Sequence, residues 1–263
     1  MPAPAGPIRT ERHGDVLVAT IDRPGDDLNR VDHDLHRALT GLMADLRRET
    51  EARAVLLTGD GRAFSAGGDF AWFPELDTLE KLHALRRDAR QMIWDLLDVE
   101  LPIVCALNGA AVGLGASIAL LCDVVVASET AVIADPHVQV GIVAGDGGTA
   151  IWPLLLGPLR AKAHLLTGDP IAAAEAHRAG LVTEVVPDGE VRARGLAWAE
   201  RLAAGAPLAI RYTKQAVNTQ VKRALLDSFE PAVGHELVTF LSDDHREALE
   251  ARAERRAPVY RGR

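Results

Sequence analysis

Short, unbroken apolar runs alternate along the chain with longer stretches whose apolar positions recur every three or four residues. Runs at 16–21, 54–58, 103–107, 124–127, 131–133 and 181–186 predict buried strands. Between them, residues 32–48 carry Leu35, Leu39, Leu42, Met43 and Leu46 on one face, which predicts an amphipathic helix with Asp32 as N-cap. Residues 78–97 predict a second, Arg-rich amphipathic helix. Further helices are expected at 116–122, 149–156, 160–167 and 171–179, the last closed by Gly180. From Gly189 onward the pattern is helical, with breaks expected at Pro207 and Pro231 and a frayed, charged end over 252–263. Strand and helix alternate to about residue 187, which predicts an α/β core followed by helices. The division is 1–190 for the core and 191–263 for the helical C-terminal region.

The stretch 101–128, LPIVCALNGAAVGLGASIALLCDVVVAS, organises the rest. A buried strand runs into the Asn108-Gly109 turn signal, then a glycine-spaced turn to Gly115, then a helix. Glycines at 113 and 115 let backbone N–H groups approach a ligand closely. The start of the following helix carries unpaired N–H groups and partial positive charge, so the turn suits a developing negative charge. The segment 101–122 is uncharged and long enough to span a bilayer. Its acidic flanks, Glu100 and Asp123, and its internal turn argue against a membrane span.

A hydrophobic content of 48%, a charged content of 25% and a formal charge of −8 fit a water-soluble protein with no broad nucleic-acid or anionic-membrane surface. The two cysteines, Cys105 and Cys122, lie in apolar runs and read as buried free thiols in a reducing compartment. The N-terminus, MPAPAGPIRT, has no apolar signal region, so a cytoplasmic location is expected. No P-loop and no zinc spacing occurs. Gly145 to Ala150 fits G-x-G-x-x-A but lacks a clear preceding strand and a later acid, against a dinucleotide site. Residues 115–119, GASIA, miss the nucleophile-elbow pattern by one glycine, leaving serine-hydrolase chemistry weakly supported.

The specific signal is a pair of glycine loops. GRAFSAGGDF, residues 61–70, precedes the organising stretch by about 40 residues and resembles the first signature of the enoyl-CoA hydratase/isomerase (crotonase) superfamily. Residues 102–127 resemble its second signature, and 131–187 its next segment. The resemblance covers about 16–217. It implies a spiral of stacked ββα units with a helical C-terminal trimerisation region. It also implies an acyl-CoA thioester substrate, coenzyme A arriving as part of that substrate with no separate cofactor and no metal. As partners it implies no nucleic acid or membrane, and a homotrimer or dimer of trimers. The family's oxyanion hole of two backbone N–H groups would fall, by position, on Ala66 and Leu114. Such donors stabilise a thioester enolate by about 3 kcal/mol each. The flanking Phe64, Gly67, Gly68, Asp69 and Gly113, and the turn carrying Asp27 and Leu28, would line the coenzyme A thioester. Asp69 would also cap the helix that follows. Lys214 and Lys222 would offer phosphate contacts.

The acid/base set departs from the family's hydratases. Where two glutamates are expected, this chain has Ser117 and His137. An unassisted hydroxyl is too weak a base near neutrality, so Ser117 would orient a water or substrate atom. His137 titrates in the useful range. Asp146, nine residues on in Ala144-Gly145-Asp146-Gly147-Gly148, is the remaining carboxylate of the loop. The other histidines are expected on termini or polar helix faces. The expectation is hydration or dehydration of an enoyl-CoA, with His137 and Asp146 sharing the proton work. The alternatives are an acyl-CoA isomerase or thioester hydrolase using Asp146, and a non-catalytic acyl-CoA binder.

Overall fold

The computed structural model describes residues 6–263. Residues 1–5, part of the segment read above for a signal, lie outside the described residues. A hairpin of β1 (Ile8–His13) and β2 (Val16–Ile21) leads into α1 (His33–Leu46), whose first turn is capped by Asp32 accepting from the Leu35 N–H. Three units of one pattern follow: a long strand, a short strand across a tight turn, which carries glycine in the first two units, then a helix. They are β3 (Ala54–Gly59), β4 (Ala63–Ser65) and α2 (Leu79–Asp98); β5 (Ile103–Leu107), β6 (Ala110–Val112) and α3 (Leu114–Leu120); β7 (Val124–Ser128), β8 (Val132–Ala134) and α4 (Gly148–Leu156). Then come α5 (Pro158–Thr167), β9 (Ile171–Ala172), α6 (Ala173–Ala179) and β10 (Glu184–Val186). Three helices end the chain: α7 (Val191–Ala203), α8 (Pro207–Phe240) and α9 (Asp243–Glu254).

The long strands form one six-stranded sheet, ordered β1-β2-β3-β5-β7-β10, parallel apart from the hairpin. The short strands form a second sheet, β4-β6-β8-β9. The expected stacked ββα spiral is therefore the observed fold. The glycine turns read as loops contain β4 and β6, strands too short to show a period of two in sequence. Glycine is required where these turns cross: a Cβ at Gly109 would lie 2.2 Å from the Arg62 carbonyl oxygen. No helix among the described residues is long and apolar enough to cross a membrane. The uncharged stretch from Leu101 is instead divided among β5, β6 and α3.

Alternation along the long strands builds two cores. Val55, Leu57, Ile103, Cys105 and Leu107 face the main core with α1 and α2, while Ala54, Leu56, Val104 and Ala106 face the layer formed by α7. Burial on both faces explains why these strands read as continuous apolar runs.

Three expectations are corrected. Pro207 starts α8 at its first turn, but Pro231 lies inside that helix without ending it. Packing of Leu225, Phe229, Ala232 and Val233 carries the helix through the lost N–H bond. The end of the chain is tied down: Tyr260 donates to the Gln139 carbonyl at 2.7 Å, and the N–H groups of Arg261 and Gly262 donate to Asp244. His36 and His245 are buried, on the inner faces of α1 and α9. Cys105 is buried and Cys122 half-buried, both as free thiols.

Candidate active site

The parallel strands bring several loops to one end of the spiral, where ligands bind in sheets of this kind. The first loop follows β4. Its Ala66 N–H is not available to a ligand, because it donates to the Leu28 carbonyl at 2.9 Å. Gly67, at φ +81°, then turns the backbone over. The Gly67 carbonyl accepts from Val31 and the Asp69 N–H donates to the Val31 carbonyl, making a parallel bridge between Val31 and Gly68. In such a bridge the middle residue's own N–H points away from the partner strand, so the Gly68 N–H faces outward. The open amide of this loop belongs to Gly68, two residues beyond Ala66. The signal for it was the tandem Gly67-Gly68.

The second loop follows β6. Gly113, at φ +54°, ends it, and Leu114 opens α3 with an N–H that has no backbone partner among the described residues. Gly68 and Leu114 line one inner cavity of about 80 Å³, with His137, Asp146 and Glu236. An outer cavity of about 300 Å³ meets it at Gly68 and His137, lined by Ala66, Gly67 and Gly113.

Other expected ligand contacts are redirected. Phe64 is wholly buried in the main core and cannot reach a ligand. Asp69 accepts from the Ala71 N–H and pairs with Arg23 at 2.7 Å, so it holds a loop and caps no helix; Thr78 caps α2 instead. Asp27 pairs with Arg62 at 2.5 Å, and Leu28 contributes its carbonyl to Ala66. Lys214 is buried between the Leu101 carbonyl and Asp123, and Lys222 pairs with Asp98, so neither is free for a phosphate.

The acid/base cluster stands on three elements. Asp135 and His137 follow β8, Asp146 precedes α4, and Ser117 lies inside α3. The Ser117 hydroxyl donates to Asp146 Oδ1 at 3.1 Å. His137 Nδ1 bonds Asp135 Oδ1, and His137 Nε2 lies 3.5 Å from Asp146 Oδ2. Gly113 makes room beneath this ring: a Cβ there would sit 3.1 Å from His137 Cε1. The donor atoms of Asp135, His137 and Asp146 fall within 4.8 Å of one another. His137 turns a different nitrogen to each acid, so the ring bridges them and does not converge with both on a common point.

Glu236 enters from α8 and was missed in the sequence. Its signal was a lone acid inside the apolar stretch from Val233 to Phe240. A Cβ on Gly145 would meet its carboxylate, so glycine is what admits Glu236 to the loop. Burial opposes charging His137, but the flanking Asp135 and Asp146 outweigh it and hold the imidazole protonated, its pKa raised to about 10. Burial raises Asp146 to about 6, against the pull of His137 and the Ser117 hydrogen bond. Burial raises Glu236 further, to about 8, with Asp146 and Asp135 adding repulsion. At neutral pH the cavity therefore holds an ionised Asp146 and a protonated Glu236, a base and an acid set apart by their surroundings.

Comparison with known proteins identifies the family and the fold. Residues 11–263 match the family model described as enoyl-CoA hydratase/isomerase. The chain is 34% identical to 2,3-dehydroadipyl-CoA hydratase from Escherichia coli over 94% of this chain and 96% of that one. It superposes with TM-score 0.89 on an enoyl-CoA hydratase/isomerase from Mycobacterium paratuberculosis, 39% identical, covering 94% of this chain and 98% of that one. It also superposes with TM-score 0.83 on a beta-diketone hydrolase from the cyanobacterium Anabaena, bound to (S)-3-oxocyclohexyl acetic acid. That chain is 30% identical, with 89% of this chain and 94% of that one covered.

Proposed function

The chain belongs to the enoyl-CoA hydratase/isomerase family, and on that premise we propose that it adds water across the double bond of an enoyl-CoA. The thioester oxygen sits between the N–H groups of Gly68 and Leu114. Charge that develops there on enolate formation meets donors already in place. The Asp146 carboxylate takes a proton from water, and the hydroxide adds to Cβ. The Glu236 carboxyl gives a proton to Cα, completing the hydrated product. Asp146 is then protonated and Glu236 ionised. The His137 imidazolium beside Asp146 steadies the charged carboxylate, and a proton returns from Asp146 to Glu236 to reset the site.

The observation that carries this reading is one cavity shared by two open amides and two carboxyl groups of opposite protonation. Coenzyme A belongs to the substrate, and the outer cavity beside Ala66 and Gly113 suits its pantetheine arm. No further cofactor is called for. The helices after residue 190 close the site, through Glu236, and form the face for assembly into trimers. The test is turnover of crotonyl-CoA, followed as loss of the enoyl-thioester absorbance with the 3-hydroxy product identified by mass. Absence of that product across short enoyl-CoAs would reject the reading.

A second reading has one specific support. The positions where the resemblance calls for glutamates hold Ser117 and His137, and a beta-diketone hydrolase is among the similar structures. Asp146 and His137 would direct water at a ketone carbon. Carbon–carbon cleavage would leave an enolate on the same two amides, protonated by Glu236. Release of a keto acid from a cyclic 1,3-diketone, with no hydration of crotonyl-CoA, would select it.

A further inference from the structure

The inner cavity carries one charge that the proton chemistry does not use. Arg86 lines it from α2, beside Leu85 and Ala89, with Val233 and Leu237 contributed by α8. His137 and Asp146 on the same wall offset each other, and Glu236 is protonated, so Arg86 is left as the unbalanced charge of that wall. Among the described residues, Glu230 on α8 is the one acid within 4.0 Å of it. That carboxylate is engaged elsewhere: Arg90 Nε donates to Oε1 at 2.7 Å, and Trp94 Nε1 donates to the same oxygen at 3.2 Å. Arg86 Nη2 stands 4.0 Å from Oε2, beyond hydrogen-bonding distance, and its guanidinium makes no hydrogen bond among the described residues. The Arg86 side chain is 39% exposed, so a ligand can reach it.

The two cavities divide the ligand between them. The outer one, read above as the place of the pantetheine arm, does not include Arg86. The inner one brings Arg86 together with Gly68, Leu114, Asp146 and Glu236. A group that meets Arg86 therefore belongs to the acyl chain and not to coenzyme A. A plain hydrocarbon chain in this cavity would take water from the guanidinium without replacing its hydrogen bonds. A carboxylate would replace them, because the planar fork of N–H donors matches its two oxygens. In ligand sites, such sparse polar groups on a largely apolar wall fix orientation. We propose that Arg86 is a specificity-determining residue that pairs with a carboxylate at the far end of the acyl chain. The preferred substrates are then thioesters of short dicarboxylic acids, not plain fatty acyl-CoAs. This rests on the reading of the cavity as an acyl-thioester site.

The experiment measures binding, so it does not depend on turnover. Dissociation constants are taken by calorimetry, at one pH and ionic strength, for butyryl-CoA and glutaryl-CoA, which differ by a terminal carboxylate. Both acyl chains are saturated and cannot be hydrated. Wild type is compared with Arg86→Met and Arg86→Lys. Wild type is expected to bind glutaryl-CoA about tenfold more tightly than butyryl-CoA, the factor that a charge-assisted hydrogen bond supplies. Arg86→Met keeps an unbranched apolar stem and should remove that preference. Arg86→Lys keeps the charge without the fork and should restore part of it. Arg86→Met should also melt like wild type, since no hydrogen bond within the protein is lost. Binding of both thioesters by wild type without preference, or a preference unchanged in Arg86→Met, overturns the proposal alone. So does an equal loss of affinity for both thioesters in Arg86→Met, which would put the arginine on coenzyme A. No binding of either thioester overturns it together with the acyl-CoA reading.

Discussion

The Ser117 hydroxyl donates to Asp146 Oδ1 at 3.1 Å, joining two residues 29 positions apart in the chain. Ser117 stands on the helix that begins at Leu114, and Asp146 on the loop before α4. The serine is thereby given work without being a base: it fixes one oxygen of the carboxylate and leaves the other toward His137 Nε2. Replacing Asp146 by Asn removes the base while keeping the shape and the Ser117 contact. The expected loss in kcat for enoyl-CoA hydration is about 10²- to 10⁴-fold. Ser117→Ala should cost far less, about tenfold or below, because the base survives and only its orientation loosens. Steady-state kinetics on both variants checks the order; a larger loss in Ser117→Ala would reverse the assigned roles.

The pH profile follows from two carboxyl groups held apart. Asp146, raised to about 6, must be ionised to act as base, so kcat/KM should climb as pH rises through that value. Glu236, raised to about 8, must be protonated to act as acid, so activity should fall above it. A bell with those two limbs is the expected profile of the free enzyme. A single rising limb that runs flat above the upper value would remove Glu236 from the mechanism.

The amide of Leu114 can be deleted without breaking its helix. Proline is tolerated at the first helical position, where no intrahelical N–H bond is lost, and Leu114 occupies that position in α3. Leu114→Pro should lower kcat by about 10²- to 10³-fold through loss of one oxyanion donor. Leu114→Ala keeps the N–H and should retain most of the activity. Circular dichroism and melting temperature confirm that both are folded, and equal activities would mean that this amide holds no oxyanion.

Glu236 also leaves a trace in stability. Its folded pKa, about 8, lies above the ordinary carboxylate value of 4.5, so the native state binds this proton more tightly than the unfolded chain does. The stabilising contribution of that proton is complete at low pH and is lost as pH rises toward the folded value. Glu236→Gln, always neutral, should melt like wild type at about pH 5 and several degrees higher at about pH 9. His137, raised chiefly by Asp135 and Asp146 and in smaller part by Glu236, loses its own contribution on the way to about 10, and that loss is largely shared by the two proteins. A difference independent of pH would mean that Glu236 is charged throughout.

Much of this protein was legible along the chain. The long strands, the amphipathic α1 with its cap at Asp32, the amphipathic α2, and the helical C-terminal part all follow from apolar period and turn residues. So do the two glycine loops, because phosphate- and oxyanion-type turns need glycine at fixed spacings. Ser117, His137 and Asp146 were also readable as one group, since they lie on or beside those loops. Other features depend on distances between segments that no local pattern encodes. β4 and β6 are too short to show a period, and exist only because neighbouring strands pair with them. Which amide of the first loop is open was decided by Val31, which bonds Gly67 and Asp69 and leaves Gly68 facing the cavity, while Leu28 takes up Ala66. The basic residues Lys214 and Lys222 looked free until α8 packed beside Leu101 and Asp98. Glu236 joined Asp146 across 90 positions for the same reason: a helix laid over a glycine loop decides which acid enters the site. Local pattern thus set the elements and the oxyanion loops. The selection of donors and proton carriers was left to packing, because a hydrogen bond is won by whichever partner the fold brings within reach.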